Sequence, residues 1–158
     1  MTEVELWLRP ATQDEFDEWL PRQEAGYAEQ IIASGSMPPE AAREKAHRDT
    51  QRGFSAGLAT PGQLVFRVLA EDKPVAWLWL AVPGPDDPLM AWVYDVEVDE
   101  ADRGRGYGRQ TMLLAEREAR ARGMTSIGLN VHGKNTVALS LYDSLGYEVT
   151  TQQMKKPV

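Results

Sequence analysis

The spacing of hydrophobic and polar positions changes near the middle of the chain. Before Gly53, apolar side chains recur at helical spacing, as in Phe16, Trp19 and Leu20. After Gly62, apolar positions form short runs bounded by turn residues, which is typical of strands. The predicted elements, in chain order, are a strand over 4–9, helices over 12–32 and 38–51, strands over 64–70, 74–82 and 90–98, a helix over 106–122, a strand over 126–132, a helix over 135–145 and a last strand over 147–154.

The order β-α-α-β-β-β-α-β-α-β predicts one mixed α/β sheet. Its middle three strands suit an antiparallel meander, whereas strands separated by helices in the second half are expected to pair in parallel. The sequence contains no internal repeat, low-complexity tract or linker. A length of 158 residues fits a single domain over 1–158 that is large enough to bury a core.

Composition excludes several classes of function. The net charge is −7 and no basic patch is present, so a nucleic-acid partner is not expected. The N-terminus lacks the apolar core of a signal peptide, and the longest apolar run is too short to span a bilayer, so we expect a cytoplasmic protein without membrane contact. There is no cysteine, and His47 and His132 lie far apart, so no metal site is expected.

A glycine-rich segment, Arg103-Gly104-Arg105-Gly106-Tyr107-Gly108, joins the strand over 90–98 to the next helix. Glycine lets the backbone take positive φ and approach a ligand closely. A helix N-terminus offers main-chain N–H groups and the positive end of the helix dipole. Together these features predict a site for a phosphate or pyrophosphate, with added positive charge from Arg103, Arg105 and Arg109.

Three other interpretations of the glycines compete with an anion site. The first is a surface turn that happens to carry arginines. The second is a dinucleotide fingerprint, but the spacing here is G-x-G-x-G rather than G-x-G-x-x-G. The third is a P-loop over Gly128–Lys134, where Asn135 stands in place of the Ser or Thr that binds magnesium.

Two segments resemble the signatures of one family. Val98 to Gly108 resembles the acetyl-CoA signature of the GNAT N-acetyltransferases, Arg/Gln-x-x-Gly-x-Gly/Ala, and Arg103, Gly106 and Gly108 fill it. Asn135 to Tyr147 is similar to the second signature, N-x-x-A-x-x-L-Y-x-x-x-G-F/Y, in every element. The signatures occur in the expected order, with a helix and a strand between them.

The resemblance implies an acyltransferase that moves an acetyl group from acetyl-CoA, the acyl donor, to a primary amine (EC 2.3.1.-). It implies a GNAT fold of the α+β type, with a mixed central sheet of about six to seven strands, helices on both faces and a splayed parallel strand pair at the cofactor. The residues expected to bind the cofactor, largely through the backbone, are Val96, Val98, Arg103, Gly104, Arg105, Gly106, Tyr107, Gly108, Arg109 and Asn135.

The resemblance also assigns catalytic roles. Tyr142 matches the general acid that protonates the leaving thiolate. The positions where the family often places a base hold Tyr94 and Trp92, and a second such position holds Asn130. Asp95 or Glu97 are the remaining candidates. Strict alternation puts both carboxylates on the opposite face, and a bulge in this strand could turn one inward; the alternative is that both are solvated.

The acceptor is expected to be a small-molecule or peptide amine. Trp77 and Trp79 share a strand face, either as core residues or as the lining of an aromatic cleft for a cation. Three alternatives stay open: an acyl-CoA-binding module without catalysis, a nucleotide-binding P-loop protein, and a donor such as succinyl- or propionyl-CoA. A C-terminal edge strand could pair with a second copy, which leaves a homodimer open.

Overall fold

The computed structural model describes residues 3–158 and contains nine regular elements within them, with short 3-10 turns at Gly57–Ala59 and Glu100–Asp102. The elements are β1 (Leu6–Pro10), α1 (Gln13–Ser34), α2 (Pro39–Gly53), β2 (Gln63–Ala70), β3 (Lys73–Ala81), β4 (Met90–Val98), α3 (Tyr107–Ala121), β5 (Ser126–Leu129) and α4 (Thr136–Ser144).

Helix α1 begins at the capping box that the sequence predicts. The Glu15 N–H donates to the Thr12 hydroxyl at 3.2 Å, and the Thr12 N–H donates to the Glu15 carboxylate at 2.9 Å. The Arg9 guanidinium donates two more hydrogen bonds to Glu15, at 2.8 and 2.9 Å. Chiefly because of Arg9, the pKa of Glu15 falls to about 2. The start of α1 is therefore tied to β1.

The sheet has five strands in the order β1-β2-β3-β4-β5. The first four pair antiparallel, and the sheet also contains a parallel pair, as the mixed α/β prediction requires. The prediction of six to seven strands is wrong for the described residues. The expected strand over 147–154 does not form: Val149 and Met154 are 76% and 85% exposed, so no apolar burial offsets the entropy lost on ordering it. Strand β5 also ends at Leu129 rather than at residue 132.

The two faces of the sheet bury different groups. On one face, Phe16 and Trp19 of α1 pack with Phe54, Val65 and Trp77. On the other face, Leu78 and Leu80 alternate away from Trp77 and are fully buried, and α3 packs against β3 and β4. The prediction that Trp77 belongs to the core is confirmed, and Trp79 packs against the same cluster.

Contacts along the chain divide it into two units, one ending at Gly128 and one covering Leu129–Val158. In the second unit, the Asn135 side chain accepts a hydrogen bond from the Ala138 N–H at 3.1 Å, so the predicted cap of α4 is confirmed. The Tyr142 ring meets the Tyr147 ring edge-on, with centroids 5.7 Å apart. The single domain over 1–158 stays a prediction.

Candidate active site

The glycine loop has the backbone geometry that its composition predicts. Gly104 and Gly106 both lie in the left-handed region, each with φ near 77°. A methyl group on either glycine would meet no heavy atom within 4 Å, so the backbone conformation demands glycine there and the loop surface is open. Gly106 caps α3 without a side-chain hydrogen bond. The first main-chain N–H groups of α3 are therefore available to an anion.

The entrance to this loop is held by contacts on both sides. The Asp99 N–H donates to the Val75 carbonyl at 2.8 Å, which extends the pairing of β3 and β4 by one step. Asp102 is buried and accepts a hydrogen bond from Lys73 Nζ at 2.8 Å. The Arg103 Nε donates to the Val98 carbonyl at 3.2 Å. Because these hydrogen bonds hold Asp102 and Arg103, the start of the glycine loop has a fixed position.

Strand β4 contains one extra residue. Trp79 pairs with Asp95, but the next residue of β3, Leu80, pairs with Val93, so Tyr94 has no partner on β3. Directly paired residues of an antiparallel pair share a face. Asp95 therefore lies on the face of Trp79, and Glu97 lies on the face of Trp77. The bulge considered from the sequence is present, and it turns both carboxylates, not one, toward the α1 side.

The same bulge moves Val96 and Val98 to the opposite face. They pair with Leu78 and Ala76, which alternate away from Trp77. Uninterrupted alternation would have placed the two valines on the face of Trp92. Any contact that they make with a cofactor on the α1 side therefore has to be through the backbone, as the family resemblance implies.

Asp95 lies in an unusual environment for a carboxylate. Its Oδ2 atom is buried and has no hydrogen-bond partner within residues 3–158. Burial, followed by the charge of Glu97, raises the pKa of Asp95 to about 7, and Arg22 opposes this rise. A carboxyl group with a pKa near neutrality can both take up and release a proton at physiological pH.

Glu97 differs from Asp95 in exposure and in pairing. Its carboxylate lies 3.7 Å from the Arg22 guanidinium, with side-chain exposures of 41% for Glu97 and 58% for Arg22. Ion pairs as long and exposed as this contribute little to stability. Glu97 therefore presents negative charge to solvent, whereas Asp95 keeps its carboxyl group inside.

A cluster of aromatic rings lies on the same sheet face as the two carboxylates. The extra residue, Tyr94, stacks on Trp79 with ring centroids 4.6 Å apart, and Trp79 in turn packs against Phe54 and Trp19. The Tyr94 ring remains exposed on its outer side. The bulge thus places an aromatic surface and two carboxylates on the same face of the sheet.

Arg67 was not singled out from the sequence. Its side chain is buried, lies 4.3 Å over the Trp77 ring, and forms ion pairs with Asp99 at 2.9 Å and Glu15 at 3.8 Å. The available signal was a single charge inside the apolar run LVFRVLA, since a charged residue in such a run requires a partner. Arg67 joins the start of α1 to the segment that leads into the glycine loop.

A cavity of about 350 Å³ opens beside Arg67. Trp77 and the charged residues Glu15, Glu18, Arg22, Arg67 and Asp99 contribute to its lining. Arg22 lines this cavity and also contacts Glu97, so one end of the cavity lies beside Glu97.

The remaining candidates occupy other places. Tyr142 and Asn135 both lie in the unit over Leu129–Val158. His47 is exposed and lies 2.9 Å from Glu24, and His132 is exposed at a turn. Across residues 3–158, no group of three or more metal-ligating side chains is positioned to hold an ion. None of the helices in that range has the length and apolar character needed to span a bilayer.

Gly128 serves packing inside β5. A methyl group there would lie 2.8 Å from a ring carbon of Trp92, so glycine makes room for the indole. Since Gly128 belongs to a strand, the stretch from Gly128 to Lys134 is not one continuous loop, as a P-loop requires.

Comparison with known proteins decides the family. The sequence model of the Acetyltransferase (GNAT) family matches residues 29–147, more than half of the chain. The chain belongs to the GNAT acetyltransferase family. Membership of the GNAT family supports an acyltransferase, and the mixed sheet has the GNAT fold.

Two comparisons extend over nearly the whole chain. The uncharacterized N-acetyltransferase YycN of Bacillus subtilis is 28% identical over 152 residues, which cover 96% of this chain and 97% of YycN. A crystal structure of YycN superposes with a TM-score of 0.88 at 30% identity, over 97% of this chain and 98% of that one.

Two further comparisons are weaker, the first because it covers a short stretch and the second because its sequence identity is low. The mycothiol acetyltransferase of Rhodococcus erythropolis is 40% identical over 72 residues, which are 46% of this chain and 24% of that protein. An aminoglycoside N-acetyltransferase solved in complex with CoA has a TM-score of 0.60 at 16% identity, over 98% of this chain and 95% of that one, and shares the fold alone.

Proposed function

We propose that the protein is an acetyl-CoA-dependent N-acetyltransferase that acetylates a primary amine, with Asp95 as the general base. The observation that carries this proposal is the buried, unpaired Oδ2 atom of Asp95 on the α1 side of the bulge. A raised pKa of about 7 suits proton transfer from an ammonium group. Glu97, exposed and next to Arg22, is the less suitable of the two carboxylates.

The cofactor assignment depends on the glycine loop. Main-chain N–H groups from Arg103 to Arg109 would hold the pyrophosphate, and the β4 backbone at Val96 and Val98 would hold the pantetheine arm. The open, left-handed glycines and the uncapped start of α3 fit such a group. Asn135 is a further candidate for cofactor binding, because it matches the first position of the family's second signature.

The reaction requires proton transfers at two atoms of this chain. Acetyl-CoA supplies the acetyl group as a thioester, whose C–S bond breaks as the amine nitrogen bonds to the carbonyl carbon. The acceptor enters as an ammonium ion and must lose two protons. Asp95 accepts the first, directly or through water, and later releases it to solvent; the second leaves the nitrogen for solvent as the C–S bond breaks. Tyr142 donates its phenolic proton to the leaving sulfur and regains it from solvent, a role that depends on the family pattern. The net reaction releases one proton.

The first test measures release of the CoA thiol from acetyl-CoA with a panel of amines. We expect amine-dependent release, and Tyr142→Phe should lower kcat while leaving the Kd for acetyl-CoA unchanged. An unchanged kcat would remove Tyr142 from the chemistry. Binding of acetyl-CoA without release for any amine would favour the non-catalytic module, and absence of binding would refute the proposal. Succinyl- and propionyl-CoA in the same assay define the donor.

A further inference from the structure

A charged cavity lies beside Glu97, on the face that carries Asp95. Asp95 and Glu97 are two residues apart on one strand face, which separates them by about 6.8 Å along β4. Arg22, which contacts Glu97, also lines the cavity, together with Arg67 and three carboxylates (Glu15, Glu18 and Asp99). Glu15 and Asp99 are paired with Arg67, so the charges of these two carboxylates are balanced within the lining.

The two arginines in this cavity are held differently. Arg67 is buried, stacks on Trp77 and pairs with two carboxylates, so it is part of the framework. Arg22 is 58% exposed, and its contact with Glu97 is 3.7 Å long. Since exposed pairs of this kind contribute little to stability, another cation can replace Arg22 at Glu97.

Glu18 adds a further negative charge. It lines the cavity, and it has no ion-pair partner in the part of the chain from residue 3 onward. The cavity is also about as large as the smaller sites that bind drug-sized molecules, which begin near 300 Å³. A cationic chain bound beside Asp95 can therefore contact Glu97, and Glu18 supplies negative charge in the adjoining cavity.

We propose that the acceptor is a linear diamine or longer oligoamine: one nitrogen reacts beside Asp95, and a second ammonium replaces Arg22 at Glu97. This inference rests on the proposed function. The separation of Asp95 and Glu97 fits two nitrogens joined by about four methylene groups, given C–C bonds near 1.5 Å in an extended chain.

The test compares a straight-chain diamine of about four methylene groups with the monoamine of the same length. Acetyl-CoA is held constant and kcat/KM is measured for each. We expect the diamine to be favoured about tenfold, which corresponds to about 1.4 kcal/mol for one added charge contact. The difference should appear mainly in KM, because the second ammonium binds without reacting.

Two substitutions separate the roles of Glu97 and Arg22. Glu97→Gln should lower kcat/KM for the diamine about tenfold, more than for the monoamine. Arg22→Gln should lower KM for the diamine, because it removes the competing cation. Arg117→Gln is the matched control, since Arg117 is exposed on α3 and its loss changes the net charge equally. Thermal melting of each variant checks that it is folded.

The outcomes distinguish the two proposals. If both amines are acetylated at equal kcat/KM, and Asp95→Asn abolishes both reactions, the diamine inference is wrong and the proposed function stands. If Arg22→Gln impairs the diamine as strongly as Glu97→Gln does, Arg22 holds the acceptor and the inference is also wrong. If acetyl-CoA binds but no amine reacts, the proposed function itself fails.

Discussion

The glycine loop and the bulged face of β4 are neighbours in the chain but offer different kinds of chemistry. From Gly104 to Gly108, the loop presents main-chain N–H groups on an open surface, and the residue types matter chiefly for the backbone angles they allow. On the bulged face, the proposed base Asp95 has a buried side chain, and the unpaired residue Tyr94 determines which way that side chain points. The loop should therefore tolerate side-chain changes that the face does not.

The largest expected effect is on the bulged face. Asp95→Asn keeps the shape of the side chain but cannot accept a proton, so kcat/KM for the amine should fall by roughly 10²–10⁴. The Kd for acetyl-CoA should not change. Asp72→Asn is the matched control, because Asp72 is exposed in the turn between β2 and β3. A decrease of less than about threefold for Asp95→Asn, well below that range, would exclude Asp95 as the base.

A smaller effect is expected in the loop. Gly106→Val places a β-branched residue at φ near 77°, a strain of about 1–3 kcal/mol. Acetyl-CoA should bind about tenfold more weakly, as measured by calorimetry. Arg105→Gln removes a charge without straining the backbone, so it should weaken the binding of acetyl-CoA less. Because salt screens charges, this smaller loss of affinity should diminish at high salt. Equal losses in the two variants would mean that side chains, not the backbone, hold the cofactor.

The two regions should also differ in their response to pH. Burial raises the pKa of Asp95 to about 7, so kcat/KM should rise as pH increases through about 7 and the base ionises. Burial favours the protonated carboxyl of Asp95 in the folded protein. The stability that this protonated form contributes is therefore lost as pH rises through 7. Both effects should disappear in Asp95→Asn. Binding of acetyl-CoA should lack this transition.

The smallest effect concerns the helix that covers the bulged face. Thr12→Ala removes one half of the capping box of α1 and should lower the free energy of unfolding by about 1 kcal/mol. Activity per folded molecule should stay the same, because Thr12 lies outside both regions. A larger loss of activity than of stability would indicate that the capping box also positions Glu15 in the lining of the charged cavity.

The loop could be predicted from the sequence because its geometry demands particular residues. Positive φ at Gly104 and Gly106 selects glycine, so the requirement is visible in the chain itself. The capping box at Thr12 and the cap at Asn135 were predictable for the same local reason.

The bulged face was less predictable because it depends on pairing between distant strands. Nothing in the residues around Tyr94 shows that Leu80 pairs with Val93, and this register decides which way Asp95 points. The expected strand over 147–154 failed similarly: its alternation is present, but nothing buries Val149. Arg67 is visible in the sequence as a charge inside an apolar run. Its partners Glu15 and Asp99 are not predictable, because they lie far from it along the chain.

The ion pairs of Arg67 stabilise the fold and take no part in the proposed reaction. An arginine side chain keeps its charge in proteins, and the pKa of Glu15 lies at about 2, so this tie remains ionised across the whole range in which Asp95 gains or loses its proton. Acidification should therefore protonate the proposed base without loosening the junction of α1 with the sheet. Activity lost at mildly acidic pH should return when the pH is restored.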